Sequence, residues 1–186
     1  MLEPKITIEA IRYILEDCGE CDKLKIIKLL YFADKYHLMK YGQSITNDRH
    51  IAMEHGPVNS LALDILCFND LVLHEDEINY TYKLLKQTGK YTFIANIEFT
   101  KKLNYLSESG KEALDYIIQR FGKMSGFKLT DYAHRLPEWK QYKELLQGGI
   151  RSKAIKTIDV FSPIDDNFDI PEDHIEESKE LFSGKL

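Results

Sequence analysis

Residues 25–66, KIIKLLYFADKYHLMKYGQSITNDRHIAMEHGPVNSLALDIL, constrain the fold more than any other stretch of the chain. Ile26, Leu29, Leu30, Ala33 and Tyr36 recur at helical spacing, so one face of this helix must pack on something. Asp22 is suited to cap its start and Gly42 to end it. A polar turn over 43–48 follows, then an alternating run over 49–54 that reads as a short strand. Gly56-Pro57 is expected to break that strand, with Pro57 in the first turn of a helix over 58–69. None of these spacings is that of a catalytic or metal site. The segment reads as architecture.

The rest of the chain adds helices around a little sheet. Thr7 is a plausible cap for an amphipathic helix over 7–17. Segments 77–82 and 91–99, rich in Ile, Tyr, Thr and Phe, predict two strands of a hairpin turning near Thr88-Gly89. Ser107 predicts a helix running to Phe121, and Thr130 or a neighbour caps a short one over 129–135. Pro137 opens another that reaches 146. Beyond Ser152 the chain reads as increasingly loop-like, with a marginal acidic helix over 171–182. The expectation is a mainly α domain of the α+β class: compact, helical, with a small antiparallel β-hairpin or sheet. It occupies residues 1–158, and an acidic C-terminal tail occupies 159–186.

Charge supports that division. The net charge is −5, but the tail holds nine Asp and Glu against two Lys, leaving 21 acids and 23 bases in the body. The tail is therefore an acidic segment, read as a solvated terminus or as an arm for a partner. The near-neutral body has no clustered basic stripe, so no direct nucleic-acid binding is expected. No apolar run approaches the roughly 18–20 residues of a membrane span, and the charged, Pro-containing start does not read as a secretory signal. Three cysteines cannot all pair, which fits a cytoplasmic protein.

Candidate chemistry is sparse. Cys18-Gly19-Glu20-Cys21 lacks both the further ligands of a zinc site and the βαβ setting of a redox pair. His50 and Glu54 share a strand face near Asp48, but His55 points away, so no metal site is expected. No Gly-x-Ser-x-Gly elbow and no Gly-rich phosphate loop is present, and no cofactor is expected. A hydrolase or nucleotide-processing enzyme of a phage or mobile element, using His50, His55 or His134, stands as the alternative. The positive hint is aromatic. Tyr31, Phe32, Tyr36 and Tyr41 lie on one helix, too many for a narrow buried stripe, so Tyr31 and Tyr41 are expected either to edge onto the surface or, with the others, to pack against the hairpin. Exposed tyrosines suit a protein contact.

Two blocks resemble the Panacea domain, the SocA-like family of bacterial and phage antitoxins. The first is the 25–41 helix followed by Ala52-Met53-Glu54-His55-Gly56-Pro57-Val58, similar to the family's K-L-x-Y and A-W-x-x-G-P-V core. The second runs from 106–121 into Ser125, Leu129, Thr130, His134 and Trp139. Together they cover about residues 7–147. Met53 replaces a common Trp, and Tyr132-Ala133 precede His134 where a Thr is more usual. The resemblance implies a non-enzymatic antitoxin that binds a cognate toxin directly, with delivery to a ClpXP-type protease as a further mode. Candidate partner-binding residues are Tyr31, Tyr36, Tyr41, His55, His134 and Trp139. Fold-keeping is the simpler role for the Gly56-Pro57-Val58 corner and for the segment holding His134 and Trp139.

Overall fold

A computed structural model describes residues 4–100 and 102–184. The first three residues of the N-terminal stretch and the last two of the acidic tail lie outside it. The chain runs α1 (Pro4–Cys18), β1 (Cys21–Asp22), α2 (Lys23–Tyr41), β2 (His50–Met53), β3 (Gly56–Asn59), α3 (Ser60–Leu66) and α4 (Glu75–Leu84). It continues with β4 (Leu85–Gln87), β5 (Thr92–Ala95), α5 (Glu108–Phe121), α6 (Gly126–Ala133), α7 (Pro137–Lys140), α8 (Lys143–Gln147), β6 (Ser152–Ala154) and α9 (Glu172–Phe182). The protein is mainly helical, of the α+β class, with two small antiparallel sheets ordered β1-β5-β4 and β3-β2-β6.

Helix α2 is the axis of the molecule. Asp22 caps it by accepting from the Lys25 amide at 2.8 Å, and Gly42 ends it with φ +70°. Between those ends, residues 26–39 are all buried, on every side of the helix. A helix with large side chains all round belongs inside a bundle, and α1, α5, α6 and α9 surround this one. That arrangement corrects the surface expected of its aromatics. Tyr31 is fully buried, and Tyr36 is buried flat against Tyr116, with ring centroids 4.4 Å apart. The surplus aromatics serve neighbours on several sides instead of one stripe.

Four further expectations change. Segment 77–82 is helical, within α4, because Glu75, Asp76 and Glu77 favour the positive end of a helix and the Glu77 carboxylate accepts from the His74 amide at 2.8 Å. The hairpin turn is real, but its first strand is β4, which pairs Leu85 with Ala95. Gly56-Pro57 does not end the strand pairing: β3 pairs back on β2, with Ala52 opposite Pro57. Proline is tolerated there because β3 is a sheet edge. Thr7 and Thr130 are buried helix residues; α1 is already helical from Pro4, the first described residue, and Ser125 precedes α6 as its cap.

The segment after Ser152 is structured. β6 pairs with β2, and Val160, Phe161, Phe168 and Ile175 are buried. Helix α9 lies against the end of α2, where His174 Nε2 meets the Lys40 carbonyl at 2.7 Å. A solvated terminus therefore does not describe these residues; alternate apolar positions among the acids reach the core.

Candidate functional site

The β2–β3 hairpin ends in a tight corner at Glu54-His55, and the structure is organised around it. Gly56 takes φ +96°, a conformation that favours glycine. A Cβ at Gly56 would lie 3.0 Å from Lys28 Nζ and 3.1 Å from Ala133 Cβ, so the corner sits directly on α2 and α6. Trp139 donates its indole N–H to the Met53 carbonyl at 2.8 Å. His134 stacks on Trp139, with centroids 4.1 Å apart, and its Nε2 reaches the Glu54 carbonyl at 3.0 Å. The carbonyl only accepts, so that nitrogen carries the proton. His134, which caps the end of α6, and Trp139 on α7 thus clamp two successive carbonyls where β2 enters the turn.

Two cavities flank the clamp. One, of about 520 Å³, is walled by the first turns of α2, the hairpin, α3 and the 149–151 segment. The other, of about 530 Å³, contains His134, Trp139 and Lys143. Both share Glu54, His55 and Leu146. Lys28 lines the first. Its side chain is wholly buried, its ammonium donates to the Pro57 carbonyl at 2.7 Å, and burial pushes its pKa from 10.5 down to about 7. Ile150, which also lines this cavity, is exposed, as are Leu145, the chain neighbour of the lining Leu146, and Phe127, which follows the Gly126 packed on Leu24.

A second buried lysine, Lys35, lies one face-repeat further along α2. It sits 3.1 Å from Glu138 Oε1 and donates to the carbonyls of Val160 at 2.6 Å and Ser162 at 2.9 Å. Tyr31 donates its hydroxyl to the same carboxylate at 2.9 Å. Desolvation lowers the Lys35 pKa while Glu138 opposes that shift. The neighbouring Asp34 accepts from the Ile45 and Thr46 amides at 2.9 and 3.1 Å, which fixes the 43–48 turn. These polar groups build the core.

The residues singled out in the sequence therefore divide. His55 is exposed at the corner, while His134 and Trp139 hold the corner in place. Tyr31 and Tyr36 are inside, and Tyr41 stands apart at the other end of α2, its hydroxyl donating to Glu112 at 2.6 Å. His50 is buried with its ring 5.1 Å from that of Tyr31, and its Nε2 lies 3.5 Å from Asp34. Asp48 accepts from the Leu61 and Ala62 amides at the start of α3, at 2.8 and 3.1 Å. The Cys18 thiol is pushed down to about 7, chiefly by a hydrogen bond with Cys21. Among the described residues, no three His, Cys, Asp or Glu side chains gather as metal ligands. No described helix is long and apolar enough to cross a membrane.

Sequence reading missed Lys28, Lys35 and Glu138. The available signal was positional: two lysines seven apart, on the same helix face as Tyr31, in a helix otherwise rich in core residues.

The model of the family described as antitoxin SocA-like, Panacea domain, matches residues 26–140. That span holds nearly all of α2, the hairpin corner and its clamp. No curated protein and no solved structure matches the chain.

Proposed function

Because the chain belongs to the antitoxin SocA-like, Panacea domain family, we propose that it is the antitoxin of a toxin–antitoxin pair. It neutralises its toxin by direct protein contact in the cytoplasm of a bacterial or phage-infected cell, and it transforms no substrate. The family match over more than half of the chain carries this reading. The arrangement of the histidines supports it over the hydrolase alternative. His50 is buried against Asp34 and Tyr31, out of a substrate's reach, and His134 serves the hairpin corner, stacked on Trp139 and bonded to the Glu54 carbonyl.

The contact surface is the hairpin corner and its rim. Ile150, exposed by 44%, lines the same cavity as His55, and Leu145 and Phe127, exposed by 45 and 80%, add apolar surface next in sequence to Leu146 and Gly126. A rigid corner flanked by exposed apolar side chains gives a partner buried area without ordering a loop. Co-expression with the protein encoded next door tests the reading. The expected result is rescue from growth arrest and a co-purified complex, both lost in an Ile150→Glu, Phe127→Glu double variant that still folds. Absence of rescue and of a complex for the wild type would overturn it. Repeating the rescue in a host lacking ClpXP separates occlusion, which persists there, from delivery to the protease, which does not.

A further inference from the structure

Lys28 presents a problem that the antitoxin reading leaves unsolved. An ammonium has three N–H donors, yet Lys28 finds one acceptor, the Pro57 carbonyl. None of the ion pairs among the described residues includes it. Buried lysines are rare without an anionic partner because desolvating a lone charge is costly. The backbone nonetheless makes room for this one, since Gly56 provides the space where a Cβ would crowd Nζ.

The surroundings indicate what is missing. The cavity that Lys28 lines falls in the size range of small-molecule sites. Its walls are largely aliphatic, with Ile27, Val58 and Leu63 prominent. Its charged groups are unbalanced: Lys23 and Arg151 add to Lys28, and Glu54 is the one carboxylate. An apolar hollow with a buried cation and a cationic rim is built for an anion that has an apolar body. A planar carboxylate on an apolar body suits a single buried ammonium with two free donors among aliphatic walls.

We propose that this cavity binds a carboxylate borne on an aliphatic chain, with Lys28 as its buried counter-ion and Ile27, Val58 and Leu63 around the chain. The proposal is independent of the antitoxin reading, because binding is measured on the isolated protein. Two sources share this chemistry: a free fatty acid, and the C-terminus of a polypeptide ending in an aliphatic residue. Binding also takes up protons, since an anion beside Lys28 favours its charged form. The other groups facing it are Lys23 on α2, Glu54 and His55 on the hairpin, His134 just after α6, and Arg151.

Calorimetry on the full chain tests this with four probes: octanoate, octanol, and a pentapeptide ending in Leu with a free or an amidated C-terminus. Octanoate or the free-acid peptide is expected to bind, about tenfold or more tighter than its uncharged counterpart, and the tighter of the two identifies the source. At a pH above 7, the heat should vary with buffer ionisation enthalpy in the sense of proton uptake. Lys28→Met and the rim change Ile150→Asp should each weaken binding by about tenfold. Ile150 is exposed, so its variant keeps the fold and decides the question if Lys28→Met does not fold. Octanol binding as tightly as octanoate, no binding of either carboxylate at about 1 mM, or unchanged binding in the folded variants would overturn the proposal.

Discussion

Lys28 and Lys35 lie on one face of one helix, are equally buried, and live in opposite circumstances. Lys35 has a carboxylate and two carbonyls around its ammonium, and the carboxylate is itself held by Tyr31. Lys28 has one carbonyl and a cavity. A buried charge whose hydrogen bonds are all met is part of the core, and removing it strands its partners. A buried charge left short of partners costs stability, and such a cost is commonly met at functional sites. On the proposal made for Lys28, the working end of α2 is its N-terminal third, under the hairpin corner.

The largest effect should come from breaking the satisfied side. Lys35→Met leaves Glu138 buried without its cation, and a loss of about 3–5 kcal/mol is expected in urea unfolding. A loss under about 1 kcal/mol would mean that the Lys35 site is not the satisfied one.

Lys28 should behave in the opposite sense. Its pKa falls from 10.5 in the unfolded chain to about 7 in the folded one. Between those values the unfolded state binds the extra proton, so stability rises with pH. The deficit is complete below pH 7, on the order of 4–5 kcal/mol for such a shift, and fades as pH approaches 10.5. Lys28→Met removes it, at the expense of the Pro57 hydrogen bond. The variant should therefore gain about 2 kcal/mol near pH 6, with the gain shrinking by about pH 9.5. The difference between wild type and variant cancels the other titrating groups. A variant less stable than wild type near pH 6 would erase the contrast.

Smaller changes probe the cradle around Lys28. Gly56→Ala places a methyl group against Nζ at a backbone angle unfavourable to alanine, and about 1–2 kcal/mol should be lost. Trp139→Phe removes the hydrogen bond to Met53 and should cost about 1 kcal/mol. Its clearer signature is faster amide exchange across β2 and β3, with α2 and α5 unchanged. Uniform protection in that variant would show that the corner holds without its clamp.

Much of the architecture was legible because it rests on local rules. Asp22 and Gly42 bound α2, Ser107 starts α5, and the acidic helix over 171–182 follows the break at Pro171. The misreadings share a cause. Segment 77–82 has strand-forming residues, but three acids at its start and packing on α1 make it helix. Pro57 looked like a helix opener, and only the pairing of β2 with β3 at a sheet edge made it a strand residue. The site was legible in part: the Gly56-Pro57-Val58 corner and the His134 and Trp139 segment were visible as two distant blocks, though not as clamp and clamped.

The order of residues alone determined a mainly helical chain, its family, and the absence of familiar catalytic patterns, because those depend on spacing along the backbone. Which of two lysines on one helix face would find an acid more than a hundred positions away was decided by the tertiary structure. Burial and partnership are properties of three-dimensional neighbours, and the field at an ammonium depends on what folds against it.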